Sequence, residues 1–181
     1  PCLPSVMDNN GILALRVMRW CRQWNIQPDM PYTPLAEITS LSVATTSVHD
    51  SPTLRQWWDE DKAASALFMR SNPQHFVNDT NNWGEIDAAA ASPFTPEIAE
   101  NYLKTVAHSA SLWCVHPLQD YLAMERNYWL SNPDNERVNI PGSVSEFNWT
   151  YRMPVSITEL SANQTLIQKI KNIAELHEGR K

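Results

Sequence analysis

A histidine and an aspartate stand side by side as His49 and Asp50, at the junction of two contrasting segments. Upstream, Leu41-Ser42-Val43-Ala44-Thr45-Thr46 is short and β-rich; downstream, Ser51 can cap a helix whose first residue would be Pro52. Asp50 is therefore expected at the carboxyl end of a strand, the end at which a β/α-barrel carries its chemistry. Two other readings stand beside that one. An Asp just before a Ser-Pro helix start can be a capping residue that accepts backbone N–H bonds. A His-Asp pair can also ligate a metal, but zinc sites draw three or four ligands at recurring spacings and the chain has no such spacing.

Four separated strings extend this context: SVHDSPTLRQWW from Ser47, PLQDYLAM from Pro117, ERVNIPGS from Glu136 and FNWTYRMP from Phe147. Together, and in this order, they resemble the 4-α-glucanotransferases, the amylomaltases and disproportionating enzymes of glycoside hydrolase family 77 in the α-amylase clan. In that family a Thr/Ser-x-His-Asp strand end precedes T-x-x-x-W. The Thr53-Leu54-Arg55-Gln56-Trp57-Trp58 version is similar to the branch that holds the plant cytosolic disproportionating enzyme and its bacterial relatives. The likeness runs from about Pro4 to Leu160.

The resemblance implies a role for Asp50 as the third active-site carboxylate, a transition-state stabiliser that holds the hydroxyls of the sugar in subsite −1. His49 would hydrogen-bond the same sugar. Such bonds strengthen as the ring flattens toward an oxocarbenium ion. The loop Asn139-Ile140-Pro141-Gly142 to Asn148-Trp149 resembles the one that follows the last barrel strand and shapes the glucan cleft, so Asn148 and Trp149 are candidate substrate-binding residues. Trp149 would stack on a sugar or, equally, pin the loop to the barrel. Gln119 or Asp120 would orient neighbours.

A retaining transglycosidase also needs a carboxylate nucleophile and a carboxylic acid roughly 5–5.5 Å apart. The family carries them in an Arg-x-Asp-His strand end and an Ala-Glu-Asp-Leu-Gly segment, and neither string occurs between Pro1 and Lys181. The chain is thus expected to be a fragment that starts just behind the acid/base segment and is inactive alone. A non-catalytic glucan-binding or structural interaction domain is the alternative. No metal or organic cofactor is expected. The expected partners are α-1,4-glucans and maltooligosaccharides.

The elements that must position these residues agree with a partial barrel. The 181 residues fall short of the roughly 250 of a complete eight-unit barrel. Gly11–Met18, Leu41–Thr46 and Ser111–His116 read as strands, with helical stretches between them, which is the alternation of a parallel sheet. The expected fold class is α/β: residues 1–181 as one partial catalytic-barrel domain, about the last three β/α units of a TIM-type (β/α)8 barrel. Thr95-Pro96-Glu97 opens a helix with Ala99, Tyr102, Leu103, Val106 and Ala110 on one face. Leu166, Ile167, Ile170, Ile173 and Ala174 mark an amphipathic helix near the end. Residues 71–95 read as a loop or insertion around a short helix near Trp83-Gly84. Strands cut from a barrel would expose Ile12, Leu15, Val17, Val43, Leu112 and Val115, so the isolated piece is expected to self-associate.

Composition narrows the class. With 43% hydrophobic and 19% charged residues and a net charge of −6, the chain has no basic face for nucleic acid. No stretch of ~18 apolar residues marks a membrane span. Cys2, Cys21 and Cys114 are too few and too irregular for a disulfide framework, which fits the reducing cytoplasm. Of the eight tryptophans, Trp113 is expected to pack in a strand and Trp129 on a helix. Trp57 would brace the His49-Asp50 loop, with Trp58 buried unequally beside it. Trp20 and Trp24 lie one helical turn apart as a possible surface pair.

Overall fold

The computed structural model describes residues 3–20, 32, 35 and 38–178; Cys2, Cys21 and Trp24 lie outside them. Three short strands form the centre: β1 (Ala14–Val17), β2 (Ser42–Thr45) and β3 (Trp113–Cys114). They run parallel in the order β1-β2-β3. Each expected strand is present, but the ladders are shorter than the apolar runs that flagged them.

Register decides which side chains share a face. Leu15, Val43 and Trp113 are neighbours across the sheet, as are Arg16, Ala44 and Cys114. The Ala44 face is covered and Ala44 is fully buried. The Leu15 face is open, with Leu15 60% and Trp113 57% exposed. Trp113 is therefore no core residue, in contrast to the expectation from its strand. Ile12, Leu112 and Val115 are also exposed, whereas Val17 is buried, since the chain turns at once into a 3-10 turn, Met18–Trp20, whose Met18 and Arg19 are buried with it. Trp20 in that turn is exposed.

Helices cover the other face. The chain opens with α1 (Leu3–Asn9) ahead of β1. After β2 come α2 (Leu54–Glu60) and α3 (Lys62–Ser71), which share Asp61: it closes the first and caps the second by accepting from Ala64 N. Then α4 (Trp83–Ala91), capped by Asn82, packs on α3 through buried Ile86 and Ala90. Helix α5 (Pro96–Ala107) begins as its signal foretold: Thr95 accepts from Ile98 N and Pro96 stands at the first helical position. Short α6 (Leu118–Leu122) follows β3, and α7 (Ile157–Ala162) opens on a full capping box between Ser156 and Glu159. The amphipathic α8 (Gln164–Glu178) buries Leu166 and Ile173 and packs on α5.

The core lies between α2, α3 and α5. Trp58, Phe68 and Tyr102 are at most 1% exposed, and the Phe68 and Tyr102 rings stack at 4.2 Å. Burial of each such side chain stabilises the fold by about 3 kcal/mol. Trp57 and Trp58 are both buried because every residue from Leu54 to Trp58 is enclosed. Trp129 lies not on a helix but just past a 3-10 turn, Arg126–Tyr128, its ring between the guanidinium groups of Arg55 at 4.6 Å and Arg126 at 4.9 Å.

Candidate active site

The loop that leaves β2 turns back on itself within a few residues. Ser51 N donates to the Val48 carbonyl, and Ser51 Oγ accepts from Val48 N, each at 3.0 Å. Thr45 Oγ1 donates to Ser47 O at 2.9 Å. Ser51 thus ties the loop rather than capping the helix. The cap of α2 is Thr53, whose side chain accepts from Gln56 N, so the helix starts later than Ser51-Pro52 suggested. From beyond β1, buried Arg19 reaches in: its Nη2 donates to Ser51 Oγ at 2.6 Å and to Pro52 O at 2.5 Å. Burial pulls the Arg19 pKa down, while Tyr102 and Asp120 act in the opposite direction.

This turn projects His49 and Asp50 side by side, each about half exposed, with His49 Nε2 3.3 Å from Asp50 Oδ2. Asn139 Nδ2 donates to Asp50 Oδ1 at 2.6 Å, and Arg137 Nη2 lies 3.5 Å from the Asp50 carbonyl. Asp50 accepts no helix N–H. The capping alternative fails on that geometry. Among the described residues no group of three or more His, Cys, Asp or Glu is placed to hold an ion. What remains is a half-exposed carboxylate at a strand's carboxyl end, aimed by neighbours and open to a ligand.

Trp149 completes the exposed cluster. Its ring lies 5.1 Å from that of His49, tilted by 40°, and is 66% exposed. Its backbone has φ 67, a left-handed conformation that bulky residues avoid and that costs of order 1–3 kcal/mol. The N–H of Trp149 donates to Val138 O at 2.7 Å, which holds it there. Asn148 is turned away from the cluster. Its Oδ1 accepts from Ile140 N at 3.1 Å and its Nδ2 donates to Ser143 O at 3.1 Å, so the amide closes the Pro141-Gly142 turn. Gly142, at φ 73, fits that turn because it carries no Cβ.

Beneath the loop is a buried polar layer. Asp120, fully buried, accepts from the Thr46 hydroxyl, from Ser47 Oγ at 2.9 Å and from Leu54 N at 2.8 Å. Burial raises its pKa, against those three donors and Arg19. His116 Nδ1 accepts from Thr46 N at 3.2 Å, which leaves the ring proton on Nε2, 3.0 Å from Cys114 Sγ. Burial, with a smaller contribution from His177, pushes the His116 pKa down to about 3. Cys114 is free, and burial pushes its thiol up to about 12, so it packs as an inert group. Glu136 pairs with Arg55 and accepts from Leu130 N; its pKa is raised by burial, against the Arg55 charge. A cavity of about 250 Å³ opens here between Val48, Ser51, Pro117, Gln119 and Arg137.

Of the expected site residues, the fold brings His49, Asp50 and Trp149 together and leaves Asn148 as a brace. Sequence reasoning gave no role to Asn139, Arg137 or Arg19. Arg137 and Asn139 flank a bend at Val138, and both reach Asp50, one at its carbonyl and the other at its carboxylate. Arg19 carried no signal, because its partners Ser51 and Pro52 lie 32 and 33 residues away.

Known proteins resemble this chain in sequence and in fold. The sequence profile of the 4-alpha-glucanotransferase family matches residues 1–158. The chain is 30% identical over 166 residues to the 4-alpha-glucanotransferase of Chlamydia muridarum, covering 90% of this chain and 28% of that relative. It is 27% identical over 172 residues to 4-alpha-glucanotransferase DPE2 of Oryza sativa subsp. japonica, covering 95% of this chain and 16% of that protein. In fold it is similar to the amylomaltase from Streptococcus agalactiae in complex with acarbose, with a TM-score of 0.63 at 18% identity over 97% of this chain and 29% of that one. The chain thus spans under a third of the length of these relatives. Over that span, with a profile match covering most of its length, the chain belongs to the 4-alpha-glucanotransferase family.

Proposed function

We propose that this chain is the C-terminal part of the catalytic barrel of a 4-alpha-glucanotransferase. Within the whole protein it supplies the carboxylate that stabilises the transition state of glycosyl transfer. The reaction is a retaining double displacement. A carboxylate from outside this chain attacks the anomeric carbon of an α-1,4-linked glucan while an acid, also from outside, protonates the leaving oxygen. The resulting covalent ester is then opened by the 4-hydroxyl of an acceptor sugar, whose proton returns to the same acid/base. Asp50 binds sugar hydroxyls, and those bonds tighten as positive charge develops on the ring. His49 bonds the same sugar, and Trp149 offers an apolar ring face to it. Asn148 acts through the loop that carries Trp149. The partners are α-1,4-glucans and maltooligosaccharides, and no cofactor enters the reaction. The free Cys114 suits a cytoplasmic setting, and among the described residues no helix is long and apolar enough to cross a membrane.

The observation that carries this reading is the half-exposed Asp50 at the end of β2, held by His49 and Asn139 inside a family match of 158 residues. The test is Asp50→Asn in the full-length protein, with maltotriose as substrate and glucose release as readout. Turnover should fall roughly 10²–10³-fold with the melting temperature unchanged. Intact turnover with a lowered melting temperature would refute it.

A further inference from the structure

Asp120 bonds to both ends of the loop that carries His49 and Asp50. On the strand side it accepts from the Thr46 hydroxyl and from Ser47 Oγ; on the helix side it accepts from Leu54 N, the first residue of α2. One carboxylate therefore joins the last residues of the strand end to the first turn of the helix, and the six residues between them must close on themselves. Arg19, whose charge is felt at Asp120, grips the middle of the same loop at Ser51 and Pro52. With both ends latched and the middle held, the backbone that carries Asp50 is fastened at three places.

We infer that Asp120 is a positioning residue for Asp50: it latches the end of β2 to the start of α2 and so aims the Asp50 carboxylate at the sugar ring. The inference rests on the reading of Asp50 as the transition-state carboxylate. A transition-state contact demands tighter placement than ground-state binding does. A displacement of the order of 1 Å can cost a hundredfold in rate, while a half-exposed carboxylate still finds a sugar hydroxyl in the ground state. Loss of the latch should therefore act on kcat and spare KM.

The experiment uses the full-length protein and maltotriose. Thr46→Val keeps the side-chain shape and removes one donor; Thr46→Ser keeps the donor. Asp120→Asn keeps an acceptor for Leu54 N but turns an amide nitrogen toward the two hydroxyls. The expected result is a roughly tenfold to hundredfold fall in kcat for Thr46→Val and Asp120→Asn, with KM within about twofold of the parent. Thr46→Ser restores kcat. Combined with Asp50→Asn, Thr46→Val costs far less than it does alone, because it acts chiefly through Asp50. A folded Thr46→Val with full kcat, or a double variant whose losses multiply, overturns the latch. If Asp120→Asn does not fold, the Thr46 pair decides alone. If Asp50→Asn itself leaves turnover intact, the reading of Asp50 fails and the latch with it, whereas an additive double variant sinks only the latch.

Discussion

His116 should make the fold acid-sensitive by an amount that its burial sets. The ring is 8% exposed, its Nδ1 is occupied by the Thr46 amide, and its pKa is held down at about 3 from an ordinary 6.5. The unfolded chain takes up a proton at His116 near pH 6.5 and the folded chain does not. The unfolded state therefore binds more protons across that interval, and stability, fully present above 6.5, drains away as the pH falls toward 3. Each unit below 6.5 is worth 1.36 kcal/mol, so at pH 5 the loss attributable to this one ring is about 2 kcal/mol. His116→Asn places a neutral oxygen where Nδ1 was and has no proton to gain. Chemical denaturation at pH 8 and pH 5 of parent and variant reads the difference: the parent should lose about 2 kcal/mol more than the variant. Parallel losses would refute the argument, since the histidine would then be charging as freely folded as unfolded.

Two further outcomes follow from the exposed features. Trp149→Gly should be about 1 kcal/mol more stable to denaturant than Trp149→Ala, because glycine accepts φ 67 without strain, and both should raise KM for maltotriose; equal stabilities would show that the backbone carries no strain. Residues 1–181 expressed alone should release no glucose from maltotriose, bind a hydrophobic dye and self-associate in light scattering, because Leu15, Trp113, Leu112 and Val115 lie bare. A compact, dye-silent monomer would show that the sheet needs no further strands.

Local signals were legible in the sequence and distant ones were not. Thr95-Pro96 and the spacing of Ala99, Tyr102, Leu103 and Val106 located α5, since capping and helical periodicity act within a few residues. The His49-Asp50 placement was legible for the same reason. Ser51-Pro52 misled because two caps competed: Val48 and Arg19 claimed the Ser51 hydroxyl and left the helix to Thr53. Trp113 misled because an apolar strand residue is core only when something covers its face. Asn139 and Asp120 could be noticed in their motifs, but their bonds cross 89 and 74 residues to Asp50 and Thr46, and no spacing rule reaches that far.

Those long crossings also carry a cost in chain entropy. Arg19 meets Ser51 by closing 32 residues of chain, whereas Asp120 meets Thr46 by closing 74. The longer closure costs roughly 0.7 kcal/mol more in chain entropy, and it also waits for α5 to form and carry β3 into place beside β2. The anchor at the middle of the loop is the shorter closure and the fastening of its two ends the longer one. The loop that presents Asp50 thus depends for its fastening on a residue beyond α5 and β3, and a chain cut short of Asp120 has no carboxylate to tie it shut.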